Sequence, residues 1–251
     1  MKTFKSVIHF LGEFFFPAGC GVCGVMLSGK NEAHDGLCED CFNLIKKDKD
    51  ECCCLCGRPL ISEKDYCLDC REFNTNENDA GKEKPAYDRL ICLFPYTGKY
   101  RQLLWTFKYG KSRGAARFLS DRLLEAIDLP ETEYPVLVPV PPRPGKIRKT
   151  GWDQIRFLSG ILKKKSPFPV FPCLVRLAQD TQKKLKREER KANIEGKIRF
   201  STGRGSTHKN APKVCVVYDD VITTGSTMNA CAAALKAAGA EKVYGICLFY
   251  D

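Results

Sequence analysis

The residues best suited to chemistry lie between Val214 and Thr227, where two adjacent carboxylates separate an apolar run from a hydroxyl-rich loop. Asp219 and Asp220 end a β-branched stretch, and a helical pattern resumes at Met228. A loop that opens a helix presents unpaired backbone N–H groups, which favour an anion. Carboxylates accept hydrogen bonds from vicinal ribose hydroxyls. The order of strand, acidic pair, loop and helix therefore predicts a site for a sugar phosphate.

The loop after the acidic pair supplies hydrogen-bond donors for the phosphate. The predicted binding residues are Val221, Thr223, Thr224, Gly225, Ser226 and Thr227. Hydroxyl groups donate to phosphate oxygens, and a glycine lets the backbone approach the ligand closely. The segment is not a P-loop, because no Gly-Lys-Ser/Thr follows the glycine. The alternative interpretation is an ordinary buried strand that ends in a polar turn.

The cysteines predict a metal-binding module. Ten of the 15 cysteines lie in the first 70 residues, and eight of them form four Cys-x-x-Cys pairs: Cys20/Cys23, Cys38/Cys41, Cys53/Cys56 and Cys67/Cys70. Two pairs complete one tetrahedral Cys₄ site, so the pattern predicts two structural Zn²⁺ ions in a double zinc ribbon. We favour sequential pairing. Interleaved pairing, substitution of Cys52 or Cys54 for Cys53, and an iron–sulfur cluster stay open as alternatives.

The composition indicates which kind of partner the protein binds and in which cellular compartment it works. The chain has 251 residues, with 41 Lys and Arg against 30 Asp and Glu, a formal net charge of +11. Such a charge favours anionic partners, although it also fits simple solubility. The apolar N-terminal stretch lacks the pattern of a secretory signal and is too short to span a bilayer. We therefore expect no transmembrane segment and a reducing cytoplasm, where clustered cysteines bind metal.

Four regions are predicted along the chain. Residues 1–17 suit an amphipathic helix, 18–72 the zinc ribbon, 73–86 a polar linker, and 87–251 an α/β domain. Strand patterns in the last region cover Arg89–Tyr96, Tyr134–Val140, Val170–Leu177, Val214–Tyr218 and Lys242–Phe249. Helical patterns cover Tyr100–Lys108, Arg113–Leu129, Trp152–Lys164 and Met228–Ala238. Their alternation predicts a parallel sheet with helices on both faces.

Basic residues outside the acidic segment suggest further contacts. Arg143 follows the predicted strand Tyr134–Val140, and Arg187 and Arg190 lie in a charged segment that could close over a polyanion. Solvated charge runs are the alternative interpretation. The group Lys108, Tyr109 and Lys111 suits stacking and charge contacts with a single-stranded nucleic acid. Core packing is the commoner role of such aromatic residues.

The segment 214–227 resembles the phosphoribosyl-pyrophosphate (PRPP) motif of type I phosphoribosyltransferases. The ordered set of motifs resembles the ComF family over nearly the whole chain. Besides the cysteine pairs and 219–227, the set comprises Cys-Gly-Arg-Pro at 56–59, Phe-Lys-Tyr-Gly at 107–110, Val-Pro-Val-Pro at 138–141, Gly-Trp-Asp-Gln at 151–154 and Arg-Lys-Ala-Asn at 190–193.

The chain departs from the family at Trp152 and Asp153, where Phe and Asn are common. Pro142-Arg143-Pro144 replaces a frequent Leu-His-Pro, so Arg143 would supply charge in place of the histidine.

The resemblance implies a type I phosphoribosyltransferase-like parallel sheet behind a double zinc ribbon. It implies that Asp219 and Asp220 hold the ribose hydroxyls of PRPP, that Thr223 to Thr227 hold the 5′-phosphate, and that Mg²⁺ accompanies the pyrophosphate. It also implies a role in DNA uptake during natural transformation, with single-stranded DNA and the uptake machinery as partners. The resemblance specifies no acceptor substrate. A non-catalytic scaffold or sensor that binds nucleic acid is the alternative function.

Overall fold

The computed structural model describes residues 19–27, 36–46, 53, 60, 67, 85–130, 133–177, 197–201 and 210–251. The chain divides into two compact units, each of which draws on two stretches of sequence. The first comprises Met1–Lys49 and Tyr96–Arg122, and the second comprises Asp50–Pro95 and Leu123–Asp251. The helix predicted in residues 1–17 lies outside the described residues, as does nearly all of the predicted linker.

Within its described residues, the first unit contains a short cysteine hairpin and three helices. The helices are α1 (Glu39–Lys46), α2 (Gly98–Lys108) and α3 (Arg113–Glu125), the last belonging to this unit as far as Arg122. Helix α1 begins with two acidic residues, which favour the positive end of the helix dipole. Helix α2 buries Tyr100, Leu103, Leu104 and Phe107. These positions recur at helical spacing, so one face of α2 is apolar.

The loops that carry the cysteines pack closely against the start of α3. A Cβ atom on Gly36 would lie 2.1 Å from the Cα atom of Gly114, and one on Gly21 would lie 2.8 Å from Ala115. Gly36 also has a φ of +110°, a conformation that favours glycine. The Gly21 N–H donates to the Gly36 carbonyl at 2.9 Å. Two loops and one helix are thus joined through backbone contacts that admit no side chain.

The second unit contains the sheet. Its strands are β1 (Arg89–Pro95), β2 (Val136–Pro139), β3 (Leu174–Arg176), β4 (Ile198–Phe200), β5 (Val214–Ile222) and β6 (Lys242–Tyr250). Its helices are α4 (Lys146–Thr150), α5 (Gln154–Lys165) and α6 (Ser226–Ala237). Four strands form a parallel sheet in the order β1-β6-β5-β2, and β3 pairs antiparallel with β4. The predicted α/β class with a parallel, helix-flanked sheet is confirmed.

Helices cover both faces of strand β5. Cys215 and Val217 lie in the same buried cluster as Cys231 of α6. Tyr218, the residue after Val217, faces the other way, where its hydroxyl lies 2.6 Å from the Ser159 hydroxyl of α5. Because successive side chains of a strand point to opposite faces, α5 and α6 lie on opposite sides of the sheet. The apolar β-branched run of β5 reflects this two-sided burial.

Two predicted boundaries were wrong in ways that matter for the site. Strand β5 continues past the acidic pair to Ile222, because Val221 pairs with Phe249 of β6 and prolongs the parallel ladder. Helix α6 accordingly starts at Ser226 rather than at Met228. The strand predicted over 170–177 shortens to β3, since Pro172 lacks the N–H group that a ladder needs.

Among the described residues, no helix is long and apolar enough to cross a membrane.

Candidate functional site

Four cysteine sulfurs of the first unit form a metal-ligating cluster. The Sγ atoms of Cys20, Cys23, Cys38 and Cys41 all lie within 4.8 Å of one another. The Sγ atoms of Cys23 and Cys38 are 3.7 Å apart. A tetrahedral zinc ion with Zn–S bonds of about 2.3 Å places its sulfur ligands about 3.8 Å apart, so these residues fit a structural Zn²⁺. The first two cysteine pairs converge as sequential pairing predicts.

Local backbone geometry shapes the first cysteine pair into a tight hairpin. The Cys20 N–H donates to the Val25 carbonyl at 2.7 Å, and the Gly24 N–H donates to the Cys20 carbonyl at 3.0 Å. Gly24 has a φ of +75°, which a glycine adopts without strain. The Val22 N–H points at the Cys20 sulfur at 3.5 Å. Such N–H groups stabilise a thiolate.

The thiols of Cys20, Cys38 and Cys41 differ in how readily they ionise. Burial raises the pKa of Cys20, but N–H groups, chiefly those of Cys38 and Cys23, outweigh burial and lower that pKa to about 7. Burial raises the pKa of Cys38 and of Cys41, and the neighbouring Cys38 and Cys23 thiols raise that of Cys41 further. The Cys20 thiolate therefore forms readily, whereas Cys38 and Cys41 resist ionisation. A divalent cation removes this resistance and holds all four sulfurs as thiolates.

The second predicted zinc site falls largely outside the described residues. Cys53 is fully buried in the core of the second unit, and Cys67 packs against the same core. Cys56 and Cys70 lie outside the described residues, as do Cys52 and Cys54. The second ion and its ligand set remain predictions.

The other candidate site lies at the carboxyl edge of the sheet. Strands β2 and β5 are parallel neighbours, with Pro139 opposite Tyr218. The loop after β2 carries the exposed Arg143, and the loop after β5 carries the exposed Thr223 and Thr224. The two predicted anion-binding segments therefore reach the same edge of the sheet, where ligands bind in open α/β folds.

Glycine shapes the hydroxyl loop. Gly225 adopts the left-handed conformation with a φ of 73° and caps α6. Its carbonyl accepts from the Asn229 N–H at 2.8 Å, which closes the first helical turn. The hydroxyls of Thr224 and Ser226 lie 2.9 Å apart. Helix α6 thus opens with hydroxyl side chains gathered around its N-terminus.

The acidic pair divides between the two faces of β5. Asp220 is 7% exposed, and its Oδ2 accepts a hydrogen bond from Gln154 Nε2 at 2.6 Å. The half-buried Asp219 accepts from the backbone N–H of Asp220 through its own Oδ1 at 2.8 Å. Successive strand residues face opposite ways, so the two carboxylates leave β5 in different directions.

A second arginine lies near Asp219. Burial lowers the pKa of Arg176, the positive charge of Arg143 lowers that pKa further, and the Asp219 carboxylate opposes both. These couplings bring Arg176 of β3 into the electrostatic environment of the site. Sequence reasoning missed Arg176, because a single arginine in a short strand carries no motif.

A lysine and two polar residues extend the site toward α5. Lys146 Nζ donates to Asp153 Oδ2 at 2.7 Å and to Gln154 Oε1 at 2.5 Å. Asp153 also caps α5, because its Oδ1 accepts from the Arg156 N–H at 2.8 Å. Asp153 and Gln154 belong to the Gly-Trp-Asp-Gln motif, whose role could not be predicted from the sequence. An Asp ahead of a helical pattern was the available signal for the cap.

Two sets of predicted residues remain to be placed. Arg187 and Arg190 are outside the described residues. Lys108, Tyr109 and Lys111 lie at and beyond the end of α2, in the first unit. Tyr109 is 64% exposed, so it is not a core residue. The structure also adds Trp105, which is 60% exposed and has its ring centre 5.9 Å from that of Tyr109.

The fold and the cysteine cluster define a zinc-ribbon protein that also contains a parallel α/β sheet. A family model described as a double zinc ribbon domain matches residues 11–71. Competence protein F of Haemophilus influenzae (strain ATCC 51907 / DSM 11121 / KW20 / Rd) is 27% identical over 218 residues, which cover 84% of this chain and 89% of that protein. The chain is thus similar to a double zinc ribbon domain over its cysteine-rich segment and to competence protein F over most of its length.

Proposed function

We propose that this chain is a competence-related protein that binds PRPP, or a related phosphoribosyl ligand, with Mg²⁺ at the carboxyl edge of its sheet. The observation that carries the proposal is the course of β5. Strand β5 carries the acidic pair near its end. After Gly225 the chain enters helix α6, whose N-terminus carries hydroxyl side chains. The name of the Haemophilus relative supports the link to competence, and DNA-uptake proteins are the expected partners.

The roles of the residues follow from their chemistry. Backbone and hydroxyl donors from Val221 to Thr227 would hold the 5′-phosphate. The ribose hydroxyls would donate to Asp219 and Asp220. Arg143 would contact the pyrophosphate, together with Arg187 and Arg190. Mg²⁺ would neutralise the charge shared by the pyrophosphate and ribose oxygens.

Phosphoribosyl transfer is the reaction that such a site suits. The bond between ribose C1 and pyrophosphate breaks through an oxocarbenium-like state, and an acceptor nucleophile then forms the new bond at C1. Positioned donors and cations stabilise the leaving pyrophosphate. No feature of the described residues specifies the acceptor.

Calorimetric titration of the zinc-loaded protein with PRPP and Mg²⁺ tests the proposal. We expect saturable binding that the Asp219→Asn/Asp220→Asn variant loses by at least about tenfold, since each lost charged hydrogen bond costs roughly 1.5–3 kcal/mol. The matched control is Glu125→Gln/Asp128→Asn, which removes two negative charges at exposed positions. Absence of binding by the wild-type protein, or equal binding by both variants, would refute a phosphoribosyl site at the acidic pair.

A second candidate function is single-stranded nucleic-acid binding by the first unit. The exposed rings of Trp105 and Tyr109 offer a stacking surface. Residues 96–117 contain six Lys and Arg and no Asp or Glu. Thr106 of α2 donates through its hydroxyl to the Gly21 carbonyl in the cysteine hairpin, so the zinc cluster helps to position this helix.

Oligonucleotide binding at several salt concentrations tests this second function. We expect Trp105→Ala/Tyr109→Ala to weaken binding by at least about tenfold, because stacking contributes roughly 1–3 kcal/mol per base. Arg101→Glu/Lys111→Glu should reduce the salt slope by about 1.4, at roughly 0.7 per lost phosphate contact. Lys163→Glu/Lys164→Glu makes the same charge change at exposed positions of α5 and should leave the slope nearly unchanged. Equal effects of the two charge variants would indicate attraction by net charge alone.

A further inference from the structure

We propose that Gln154 is a positioning residue that couples Lys146 to Asp220 and fixes the Asp220 carboxylate for ligand binding. This inference rests on the proposed phosphoribosyl site and assigns a residue to it. Gln154 is 4% exposed and lies at the first turn of α5. Its side chain lies between Lys146, the first residue of α4, and Asp220 of β5.

The amide of Gln154 has one orientation that satisfies both neighbours. Lys146 only donates, so the side-chain oxygen of Gln154 faces it, at 2.5 Å. An ionised Asp220 only accepts, so the side-chain NH₂ group faces Asp220, at 2.6 Å. An amide, with an acceptor and a donor at one end, fits between an ammonium and a carboxylate. Reversing the amide would break both hydrogen bonds.

Neighbouring groups hold the hydrogen-bonded series of Lys146, Gln154 and Asp220 in place. Asp153 is 6% exposed, caps α5 and forms an ion pair with Lys146 at 2.7 Å. The cap anchors the helix turn that carries Gln154, and the ion pair anchors the Lys146 ammonium. A satisfied buried network restricts its members to one arrangement. The carboxylate of Asp220 is thus oriented from α5 before any ligand arrives.

The hydrogen bond from Gln154 affects both the charge of Asp220 and the affinity of the site for its ligand. By donating to Asp220, Gln154 favours the ionised carboxylate, which is the form that accepts from ribose hydroxyls. Lys146 supplies positive charge at the same edge, where Arg143 is also placed. Gln154 therefore acts on the ligand through Asp220, without needing to touch it.

A double-mutant cycle in the PRPP and Mg²⁺ titration tests the proposal. Gln154→Leu keeps a similar volume and removes both hydrogen bonds, so we expect it to weaken PRPP binding about tenfold or more. In an Asp220→Asn background the same change should weaken binding less than about twofold, because the two residues act as one unit. Gln102→Leu makes the same chemical change at an exposed position of α2 and should leave affinity unchanged.

Gln154→Glu supplies a readout that a purely structural role would not produce. Its carboxyl group would lie between Lys146 and Asp220, with Asp153 beside the same ammonium. When protonated, the new group donates to Asp220 as the amide does. When ionised, it repels Asp220. We therefore expect the affinity of Gln154→Glu to approach that of the wild type at low pH and to fall behind it as pH rises.

The outcomes separate this inference from the proposed function. If the wild type binds PRPP while Gln154→Leu binds within twofold of it, the positioning role fails and the proposed function survives. Equal losses in the wild-type and Asp220→Asn backgrounds also overturn it, because Gln154 would then act independently of Asp220. If the wild type does not bind PRPP, the proposed function fails and this inference fails with it. Thermal melts of each variant report unfolding separately from affinity.

Discussion

At the scale of single residues, the sequence predicted the ligands of the cysteine site but not the contacts of the acidic pair. The Cys-x-x-Cys spacing predicted a tetrahedral site, and the sulfurs of Cys20, Cys23, Cys38 and Cys41 converge. This success has a local cause, because each pair is shaped by its own turn. The contact of Gln154 with Asp220 spans 66 positions, and no local pattern encodes it.

Zinc content provides the first residue-scale prediction. We expect the wild-type protein to bind two zinc ions and Cys23→Ser to lose about one equivalent, because three remaining thiolates no longer close the Cys₄ site. Metal analysis of the purified proteins measures this directly. Cys231→Ser, which changes a buried thiol in the core of the second unit, should retain both ions. Full zinc content in Cys23→Ser would remove Cys23 from the ligand set.

The cap of α5 provides the second residue-scale prediction. Asp153→Ala removes the acceptor for the Arg156 N–H and the partner of Lys146, so it should lower the free energy of unfolding by about 1–2 kcal/mol. Asp153→Asn preserves the cap and loses only the ion pair, so it should cost about half as much. Denaturant unfolding followed by circular dichroism compares the two variants. Equal losses would mean that the cap contributes little.

At the scale of elements, the sequence predicted strand and helix types well and their ends less well. The two-sided burial of β5 appears in the sequence as an uninterrupted apolar run, which predicted a strand over Val214–Tyr218. The run could not reveal that Asp219 and Asp220 lie inside the strand, because pairing with β6 decides where β5 ends. Likewise, Gly114 resembles any helical glycine until its contact with Gly36 is seen.

Two helical glycines form a matched pair for an element-scale prediction. A Cβ atom on Gly114 would lie 2.7 Å from the Gly36 carbonyl oxygen, whereas one on Gly160 would meet nothing within 4 Å. We expect Gly160→Ala to stabilise the protein by roughly 0.5–1 kcal/mol through helix propensity. Gly114→Ala should instead destabilise it by about 1–3 kcal/mol through overpacking. Denaturant melts measure both changes, and stabilisation by Gly114→Ala would show that the loop yields easily.

At the scale of the whole molecule, the positive net charge predicts anionic partners, but no sequence pattern indicates how the chain builds its two units. The first unit combines the cysteine loops with residues 96–122, which follow strand β1 of the second unit in sequence. From the sequence alone, residues 87–251 are predicted to form one domain, because strand and helix patterns alternate there without a break. Assignment to units depends on long-range contacts, which alternation of patterns does not specify.

Ligand binding should appear as stabilisation of the whole protein. At a PRPP concentration about 100 times the Kd, with Mg²⁺ present, binding to the native state contributes about 2.7 kcal/mol. For a chain of this size this corresponds to a rise in Tm of roughly 5–10 °C. A thermal melt with and without PRPP measures the shift. The Asp219→Asn/Asp220→Asn variant should show little rise, and an equal rise in that variant would place binding elsewhere.

The most direct test of a phosphoribosyl site is a crystal structure of the zinc-loaded protein grown with PRPP and Mg²⁺. We expect the 5′-phosphate to lie against the backbone and hydroxyls of Thr223 to Thr227, with the ribose hydroxyls within hydrogen-bond distance of the acidic pair. The pyrophosphate should lie on the side of Arg143. Electron density for PRPP bound away from this edge, or a site at this edge that stays empty at saturating ligand, would refute a phosphoribosyl site there.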